Sequence, residues 1–229
     1  PLTILALETS CDETAAAVVQ LRAGKLVALS NAVINQDHVH AMYGGVVPEL
    51  ASRAHLEKLL PAIRAAMSEA KISFGQLDAV AVGIRPGLIG SLLVGVSAAK
   101  ALAWSIGKPF LGVDHVLAHL VACHFLDTTP EYPALGLVAS GGHTHFVFME
   151  SPLRARVVAR TRDDAAGEAF DKAASILQLG WPGGPLLEKL ARGGSAIRNE
   201  SPRFTVNLSP AVTLNRFEHL AVYLERRRD

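Results

Sequence analysis

His115 and His119 lie four positions apart in the apolar run DHVLAHL, residues 114–120. If this run is helical, the two side chains lie on one face about one turn apart, close enough to bind a single metal ion. Histidines on an apolar helix also occur as hydrogen-bonded core residues without a metal. The spacing alone therefore leaves a metal site and a structural pair as alternatives, and other parts of the chain must decide between them.

Two further segments share one plan, in which an apolar run is followed by a small polar turn and a second apolar run. They are residues 2–19 and 134–148, and each predicts a β-hairpin whose tip presents hydroxyl groups and backbone N–H groups. Gly-rich turns bind oxyanions through converging N–H donors, so a duplicated unit of this kind indicates two related lobes around a nucleotide. Two ordinary hairpins with turn-forming residues are the alternative.

The rest of the chain alternates between strand-like and helix-like patterns. Strands are predicted at 25–34, 77–84, 109–115 and 156–161, and helices at 48–70, with a kink or break at Pro61, directly after 115 and at 163–180. Segments 85–107 and 182–194 each predict a turn, Pro-Gly or Gly-Pro, that a helix follows. This alternation is typical of an α/β protein with mixed sheets. Residues 199–229 break the pattern, and the alternatives there are a terminal helix at 215–227 and a frayed tail.

Composition sets the broad class of protein. Of the 229 residues, 50% are hydrophobic and 19% are charged, with a formal net charge of +1. The chain can therefore bury a sizeable core, and its charge gives no bulk reason for binding nucleic acid. The longest apolar stretch is too short for a membrane span, and the first residues do not resemble a signal peptide. We expect a cytoplasmic protein without membrane contact, in which Cys11 and Cys123 are reduced thiols.

Seven motifs occur along the chain, namely LALETSCDETAAAVV, YGGVVPELASRAHLEKLLP, RPGLIGSLLVG, VDHVLAHL, ASGGHT, GEAFDKAA and PGGP. In this order the chain resembles the universal tRNA threonylcarbamoyladenosine transferase family, over residues 2 to about 197. The resemblance implies the actin, sugar kinase and heat-shock ATPase fold, with two related lobes around a nucleotide cleft. Residues 1–131 would form the first lobe with the two-histidine helix, 132–198 the start of an incomplete second lobe with the nucleotide-binding loops, and 199–229 a divergent tail.

The resemblance also implies an activity. Members of the family transfer a threonylcarbamoyl group from threonylcarbamoyl-adenylate to the exocyclic amine of the adenosine 3′ of the anticodon, in tRNAs that read codons beginning with A. The bacterial enzyme works with a short non-catalytic paralogue and a small ATPase. By this resemblance tRNA, threonylcarbamoyl-adenylate and these two proteins are the expected partners.

Site residues follow from the family motif by motif. His115 and His119 would bind one divalent metal, which the resemblance implies is Fe(II), with Zn and Mg as alternatives. The rest of the substrate site would consist of the ASGG loop, a ribose-binding carboxylate and a glycine packed against the nucleotide. These residues are Val138, Ala139, Ser140, Gly141, Gly142, Asp171 and Gly184.

Three polar residues of the first lobe are also candidates. Asp12 and Glu13 lie at the tip of the first hairpin, and one of them would position the attacking amine or act as a base; a turn that merely favours carboxylates is the alternative. His40, just before the YGG motif, is expected to reach the cleft or to bind tRNA.

This set of residues suits the chemistry. A carbamoyl-phosphate mixed anhydride is already activated, so the protein must orient it, polarise its carbonyl and stabilise the charge on the leaving phosphate. A metal bound by two imidazoles acts as a Lewis acid and a template, and each turn N–H group that binds an oxyanion contributes about 3 kcal/mol. A carboxylate such as Asp171 accepts hydrogen bonds from ribose hydroxyls.

The sequence departs from the family in length and at one turn. Family members are longer, and the C-terminal segments that carry their third metal ligand, an aspartate, and a substrate-binding asparagine have no counterpart here. Arg85 stands where the family has glycine. It would be strained if the turn required a positive φ, and would otherwise add a cation near the phosphates.

Two other functions were weighed against transfer. A catalytically incomplete scaffold, or dimerisation partner of the full-length transferase, is favoured by the length of the chain, whereas His115, His119 and the intact ASGGHT motif favour the transferase. A metalloprotease is excluded, because the H-x-x-x-H spacing lacks the glutamate that H-E-x-x-H proteases use as a general base.

Overall fold

The computed structural model describes residues 1–126 and 130–192 and, for the backbone alone, residues 220–224. Within these residues the chain forms two compact units, each built on one sheet. The first unit contains 1–118 and 124–126, and the second contains 119–123, 130–192 and 220–224. The lobe boundary expected after residue 131 stays a prediction.

The sheet of the first unit has five strands in the order β3-β2-β1-β4-β5. The strands are β1 (Leu2–Glu8), β2 (Glu13–Arg22), β3 (Lys25–Asn35), β4 (Ala79–Arg85) and β5 (Phe110–Asp114). Strands β1 to β3 are antiparallel neighbours, whereas β4 runs parallel to both β1 and β5. The carboxyl ends of β1, β4 and β5 therefore meet at one edge of the sheet, as parallel pairing requires.

Helices cover the strands of this unit and account for its core. They are α1 (Asp37–His40), α2 (Pro48–Ala70) and α3 (Ile89–Ser105), with single 3₁₀ turns at Ala41–Tyr43 and Phe74–Gln76. Leu5 and Val18 of the sheet are fully buried against Leu59 and Ile63 of α2 and Ala99 of α3. Full burial of an aliphatic side chain the size of leucine contributes roughly 1.5–3 kcal/mol, so this cluster is the main source of stability.

Helix α3 follows a Pro-Gly turn, as predicted for residues 85–107. Arg85 ends β4, and the helix begins at Ile89 and ends at Ser105. The small residues of α3 allow close packing, because a Cβ at Gly90 would lie 2.5 Å from the Ser52 hydroxyl oxygen. No helix in the described part of the chain is both long and apolar enough to cross a membrane.

The second unit has a four-stranded sheet in the order β8-β7-β6-β9. Its elements are β6 (Ala134–Ala139), β7 (Thr144–Ser151), β8 (Arg154–Arg160), α5 (Ala166–Ile176), α6 (Gly183–Ala191) and β9 (Leu220–Leu224). The helix α4 (His115–Val121), which a 3₁₀ turn at Ala122–Phe125 follows, spans the boundary between the two units. Strand β9 is parallel to β6, and β6 to β8 are antiparallel, so the order and directions repeat those of β4-β1-β2-β3.

The predicted α/β class with mixed sheets is confirmed, and so are both hairpins, β1–β2 and β6–β7. The terminal helix predicted at 215–227 is wrong for residues 220–224, which form β9. Parallel pairing with β6, in register from Leu135 with Leu220 to Ala139 with Leu224, makes this segment a strand. The remainder of that predicted helix, and the rest of the tail, lie outside the described residues.

Candidate functional site

The edge formed by the ends of β1, β4 and β5 brings Glu8 and His115 together. Glu8 is the last residue of β1, and His115 directly follows β5 and begins α4. The Oε2 atom of Glu8 lies 3.2 Å from Nδ1 of His115, and the backbone N–H of Ser10 donates to Oε1 of Glu8. The Ser10 hydroxyl also lies 3.3 Å from His115 Nδ1. A carboxylate, a hydroxyl and an imidazole thus converge at this edge, although 107 residues separate Glu8 from His115.

Glu8 is ionised in this environment. Burial raises the pKa of its carboxyl group, but the hydrogen bond and charge of His115 and the two hydrogen bonds from Ser10 together outweigh it, so the pKa lies below its ordinary value. Glu8 therefore acts as a hydrogen-bond acceptor for both neighbours.

The predicted metal pair lies on one helix. Helix α4 carries both His115 and His119, and their four-residue spacing places the two imidazoles one turn apart on the same side. Two imidazoles and a carboxylate behind one of them suit a divalent transition metal, since metal-bound histidines commonly donate their other ring nitrogen to a carboxylate. In the ranges that the structure describes, no three His, Cys, Asp or Glu side chains group as a metal site would require. The residues present therefore fit as two ligands of a larger set.

The tip of the first hairpin is held by the turn that precedes α3. The Thr9 hydroxyl donates to the backbone carbonyl of Ser91 at 2.8 Å, and the Leu88 N–H donates to the carbonyl of Ser10 at 2.8 Å. A Cβ at Gly87 would lie 2.6 Å from that same Ser10 oxygen, so a glycine is required at this position of the RPGLIG motif. The turn and the hairpin tip therefore form one packed assembly.

Asp12 and Glu13 follow this braced tip. Asp12 is buried, and Glu13 is the half-buried first residue of β2. Their assignment as groups that act on the attacking amine stays a prediction.

A buried histidine that sequence analysis missed supports the same loop. His55 lies on the inner face of α2 and is fully buried. Its Nε2 is 3.0 Å from the carbonyl of Cys11, and its Nδ1 is 2.8 Å from the Thr14 hydroxyl and 3.3 Å from Nε2 of Gln36. His55 therefore ties the two sides of the hairpin tip to α2. Its place four residues after the buried Ala51 of a predicted amphipathic helix was the signal available in the sequence.

The expectation that His40 reaches the cleft or binds tRNA is wrong. His40 is fully buried, its Nε2 lies 3.2 Å from Oε1 of Gln36, and its Nδ1 accepts the N–H of Val47 at 3.3 Å. An acceptor at Nδ1 and a donor at Nε2 define a neutral imidazole. His40 and His55 thus extend one buried network through Gln36, in which histidine serves structure.

This network predicts a loss of stability in mild acid. Burial lowers the pKa of both His40 and His55 below the ordinary histidine value. The unfolded chain therefore takes up protons near its pKa of about 6.5 while the folded chain does not, so the free energy of unfolding is greatest above that pH and falls below it. We expect the urea concentration at the midpoint of unfolding to be lower at about pH 5.5 than at about pH 7.5.

His40→Gln and His55→Gln should each flatten this pH dependence as well as lower stability. A urea midpoint that stays constant across this range in the parent chain would contradict the assignment of two neutral buried histidines.

The turn of the second hairpin is closed by its own hydrogen bonds. The N–H of Ser140 donates to the carbonyl of His143 at 2.8 Å, and the N–H of His143 donates to the Ser140 hydroxyl at 3.1 Å. The N–H of Gly167, in the first turn of α5, donates to the carbonyl of Ser140 at 3.0 Å. Because the Ser140 N–H is used within the turn, the exposed Gly141 and Gly142 carry the N–H groups suited to an oxyanion.

The start of α5 packs directly on this turn. A Cβ at Gly167 would lie 2.7 Å from Cα of Gly141 and 2.9 Å from the carbonyl oxygen of Ser140. Val138 and Ala139 lie in β6, where the Val138 side chain is buried and its backbone pairs in register with His145. Within the predicted ASGG segment, the exposed part is therefore its glycine turn.

The second unit also brings Asp171 to the PGGP turn. Oδ1 of Asp171 accepts the N–H of Gly183 at 2.7 Å, at the start of α6. Gly183 is buried against α5, whereas a Cβ at Gly184 would meet no atom within 4 Å. The structure thus places two of the predicted substrate residues, Asp171 and Gly184, beside one turn, and gives Asp171 a structural hydrogen bond as well.

Arg85 is not strained. Its φ is not among the positive values, and its Nε lies 3.3 Å from Oδ2 of Asp114 at the end of β5. Oδ1 of the same Asp114 accepts the N–H of Leu117 at 3.1 Å in the first turn of α4. Arg85 therefore supplies a largely exposed cation near the start of the two-histidine helix.

Residues 27–219 match the family described as tRNA N6-adenosine threonylcarbamoyltransferase (TsaD). Proteins of that name from Symbiobacterium thermophilum and Trichlorobacter lovleyi are 53% identical over 200 residues and 52% identical over 202 residues. The aligned parts cover 87% and 88% of this chain and 58% of each relative. The chain thus spans little more than half the length of these curated relatives.

Solved structures show weak overall similarity. Component A of (R)-2-hydroxyglutaryl-CoA dehydratase from Acidaminococcus fermentans has a TM-score of 0.48 at 11% identity, covering 86% of this chain and 61% of that one. A protein from Pseudomonas aeruginosa with similarity to peptidase YeaZ has a TM-score of 0.44 at 20% identity, with coverages of 69% and 64%. A ROK hexokinase from Thermus thermophilus has a TM-score of 0.43 at 21% identity, with coverages of 72% and 52%.

Proposed function

Because the chain belongs to the tRNA N6-adenosine threonylcarbamoyltransferase family, we propose that it transfers threonylcarbamoyl from threonylcarbamoyl-adenylate to tRNA. The acceptor would be the exocyclic amine of the adenosine 3′ of the anticodon, in tRNAs that read codons beginning with A. The observation that carries the proposal is identity of about half over 200 residues, with a family match over residues 27–219, which contain His115, His119, the glycine turn and Asp171.

The metal would be held by His115 and His119 on α4. One divalent ion, Fe(II) or alternatively Zn or Mg, would supply a Lewis acid there. Glu8 contributes a carboxylate behind His115, and Arg85 contributes a cation on the neighbouring strand end. Arg85 is paired with Asp114 and Glu8 is ionised, so the positive charge that suits a phosphate-carrying substrate would come from the bound ion.

The second unit would bind the adenylate. The N–H groups of Gly141 and Gly142 suit a phosphate or carbamoyl oxygen, because the turn that carries them is fixed by the hydrogen bonds of Ser140 and His143. The Asp171 carboxylate has its Oδ1 engaged by Gly183, so ribose hydroxyls would bind through Oδ2. Gly184 leaves open space in which a nucleotide could approach the backbone.

Asp12 and Glu13 would act on the nucleophile. The attacking amine belongs to an adenine, and it is weakly basic, so a carboxylate that orients it and accepts its proton promotes attack on the carbamoyl carbon. The braced hairpin tip supports this role, since the hydrogen bonds of Thr9, Ser10 and His55 hold the loop that carries Asp12.

The remaining partners follow from the same family assignment. The reaction would take place in the cytoplasm, with tRNA as acceptor. A short non-catalytic paralogue and a small ATPase would assist it, and a separate synthase would supply the adenylate.

Substitution of Asp171 by asparagine tests the adenylate site. The variant should fold as the parent chain does, because the side-chain oxygen of asparagine can still accept the Gly183 N–H that Oδ1 of Asp171 accepts now. We expect Asp171→Asn to keep the thermal midpoint but to weaken binding of a non-hydrolysable threonylcarbamoyl-adenylate analogue roughly 10- to 100-fold, as loss of hydrogen bonds to a charged group predicts. Isothermal titration calorimetry measures both affinities.

The matched control is Asp163→Asn, because Asp163 is exposed and also accepts a side-chain hydrogen bond, from Thr161. Asp163→Asn should bind the analogue as tightly as the parent chain. Equal affinity of Asp171→Asn and the parent chain would remove Asp171 from the adenylate site.

A further inference from the structure

The position of Glu8 is fixed from three sides. Its Oε1 accepts the N–H of Ser10, and its Oε2 lies 3.2 Å from Nδ1 of His115. On the third side lies Gly83, near the end of the neighbouring strand β4, where an added Cβ would be 2.5 Å from Oε2. A larger residue at position 83 would displace the carboxylate from its present position, so Gly83 gives the Glu8 side chain its place beside β4.

The contact between Glu8 and His115 has a defined polarity. A carboxylate accepts hydrogen bonds and cannot donate them, so the short approach of Oε2 requires a proton on Nδ1 of His115. The Ser10 hydroxyl, 3.3 Å from the same nitrogen, is the weaker neighbour because the carboxylate is both charged and closer. A neutral imidazole that is protonated on Nδ1 carries its lone pair on Nε2.

We propose that Glu8 is a positioning residue that holds His115 as the Nδ1-protonated tautomer, and so directs the Nε2 lone pair to the divalent metal. The tautomer follows from the geometry alone, whereas its use in metal binding rests on the proposed function. Carboxylates that support a ligating histidine in this way contribute typically 10- to 100-fold to metal affinity.

The substitution Glu8→Gln should invert the tautomer of His115, an effect that a general loss of packing would not produce. The Ser10 N–H needs an oxygen at the present Oε1 position, so the amide nitrogen of glutamine takes the position of Oε2. That nitrogen donates hydrogen bonds, and Nδ1 of His115 must then accept one. The expected result is a change of His115 from the Nδ1-protonated to the Nε2-protonated tautomer.

Nitrogen-15 NMR of histidine-labelled protein measures the tautomer directly, at a pH above the titration range of imidazole and without metal. His115→Asn identifies the His115 signals. The parent chain and the control Glu69→Gln, an exposed carboxylate on α2, should both show a protonated Nδ1, and Glu8→Gln should show a protonated Nε2. An Nε2-protonated His115 in the parent chain, or no change in Glu8→Gln, would overturn the proposal.

Gly83→Ala provides a second variant that retains the carboxylate. The added methyl group displaces Oε2 from its present position, so we expect a mixture of the two tautomers. If Glu8→Gln fails to fold, the Gly83→Ala result decides, and an unchanged Nδ1-protonated His115 there contradicts the proposal.

Titration with Fe(II), or with Co(II) as a spectroscopic probe, tests the second part of the proposal, the effect of Glu8 on metal affinity. We expect Glu8→Gln to bind 10- to 100-fold more weakly than Glu69→Gln, and His115→Ala to bind more weakly still. Unchanged affinity in His115→Ala would refute the proposed metal site but not the tautomer. Lost affinity in His115→Ala with full affinity in Glu8→Gln would instead refute the positioning role of Glu8 and leave the proposed function standing.

Discussion

Gly183→Ala is expected to destabilise the protein by about 1–3 kcal/mol, the usual range for a methyl group forced into a closed space. A Cβ at this position would lie 2.6 Å from Cβ of Ala174, 2.7 Å from Cα of Asp171 and 2.8 Å from the carbonyl oxygen of Phe170. Two of these atoms belong to the backbone of α5, which cannot move aside as a flexible side chain could. Urea unfolding monitored by circular dichroism measures the change.

The next residue is a built-in control. A Cβ at Gly184 would meet no atom within 4 Å, so Gly184→Ala should leave the free energy of unfolding unchanged or raise it by up to about 1 kcal/mol, since alanine is the better helix former. The same variant should bind the adenylate analogue at least roughly tenfold more weakly if a nucleotide packs against this glycine. Equal stability of the Gly183→Ala and Gly184→Ala chains would contradict the packing of α5 on α6.

His115→Ala is expected to reduce metal affinity more than about 100-fold, and His119→Ala to do the same, because each removes one of two ligands on one helix. The measurement is metal content after anaerobic loading with Fe(II) and gel filtration. The exposed His38, on the short helix α1, supplies the control variant His38→Gln, which should retain the parent's metal content. Full metal content in either alanine variant would show that the pair on α4 is not the metal site.

The fold could be predicted from the sequence where local patterns decide structure. The two hairpins were predicted because each joins two apolar runs through a polar turn, and β1–β2 and β6–β7 have that form. Helix α2 was predicted over its observed length, Pro48–Ala70, from its apolar period. The break expected at Pro61 does not occur, because the helix runs through that residue. Strand β9 was missed because its pairing with β6 is parallel and distant in sequence, and only that pairing distinguishes it from a short helix.

Only part of the candidate site could be predicted from the sequence, because the partners of its side chains depend on tertiary contacts. The spacing of His115 and His119 and the glycine turn at Gly141 were visible as motifs. The role of Glu8 was not, because its partner His115 lies 107 residues away and a glutamate that ends a strand has no distinctive pattern. His40 was misassigned for a related reason, since a polar residue in a turn-rich segment gives no sign that Gln36 will cover it.

Glycines also show which features a sequence motif reveals and which depend on tertiary contacts. In the RPGLIG motif the Ser10 carbonyl is the group that approaches Gly87, a contact that the motif alone does not identify. In the PGGP motif the resemblance singled out Gly184, whereas packing within the chain demands Gly183. The motifs are therefore visible in the sequence, whereas only the tertiary contacts distinguish Gly183, which supports the fold, from Gly184, which leaves space.

The most direct test of the account is transfer of labelled threonylcarbamoyl from its adenylate to unmodified tRNA, with this chain and with the short paralogue and small ATPase supplied. We expect label on the adenosine 3′ of the anticodon with the parent chain and with His38→Gln, and no label with His115→Ala. Label that persists in His115→Ala, or no label from a folded parent chain that is loaded with metal, would contradict it.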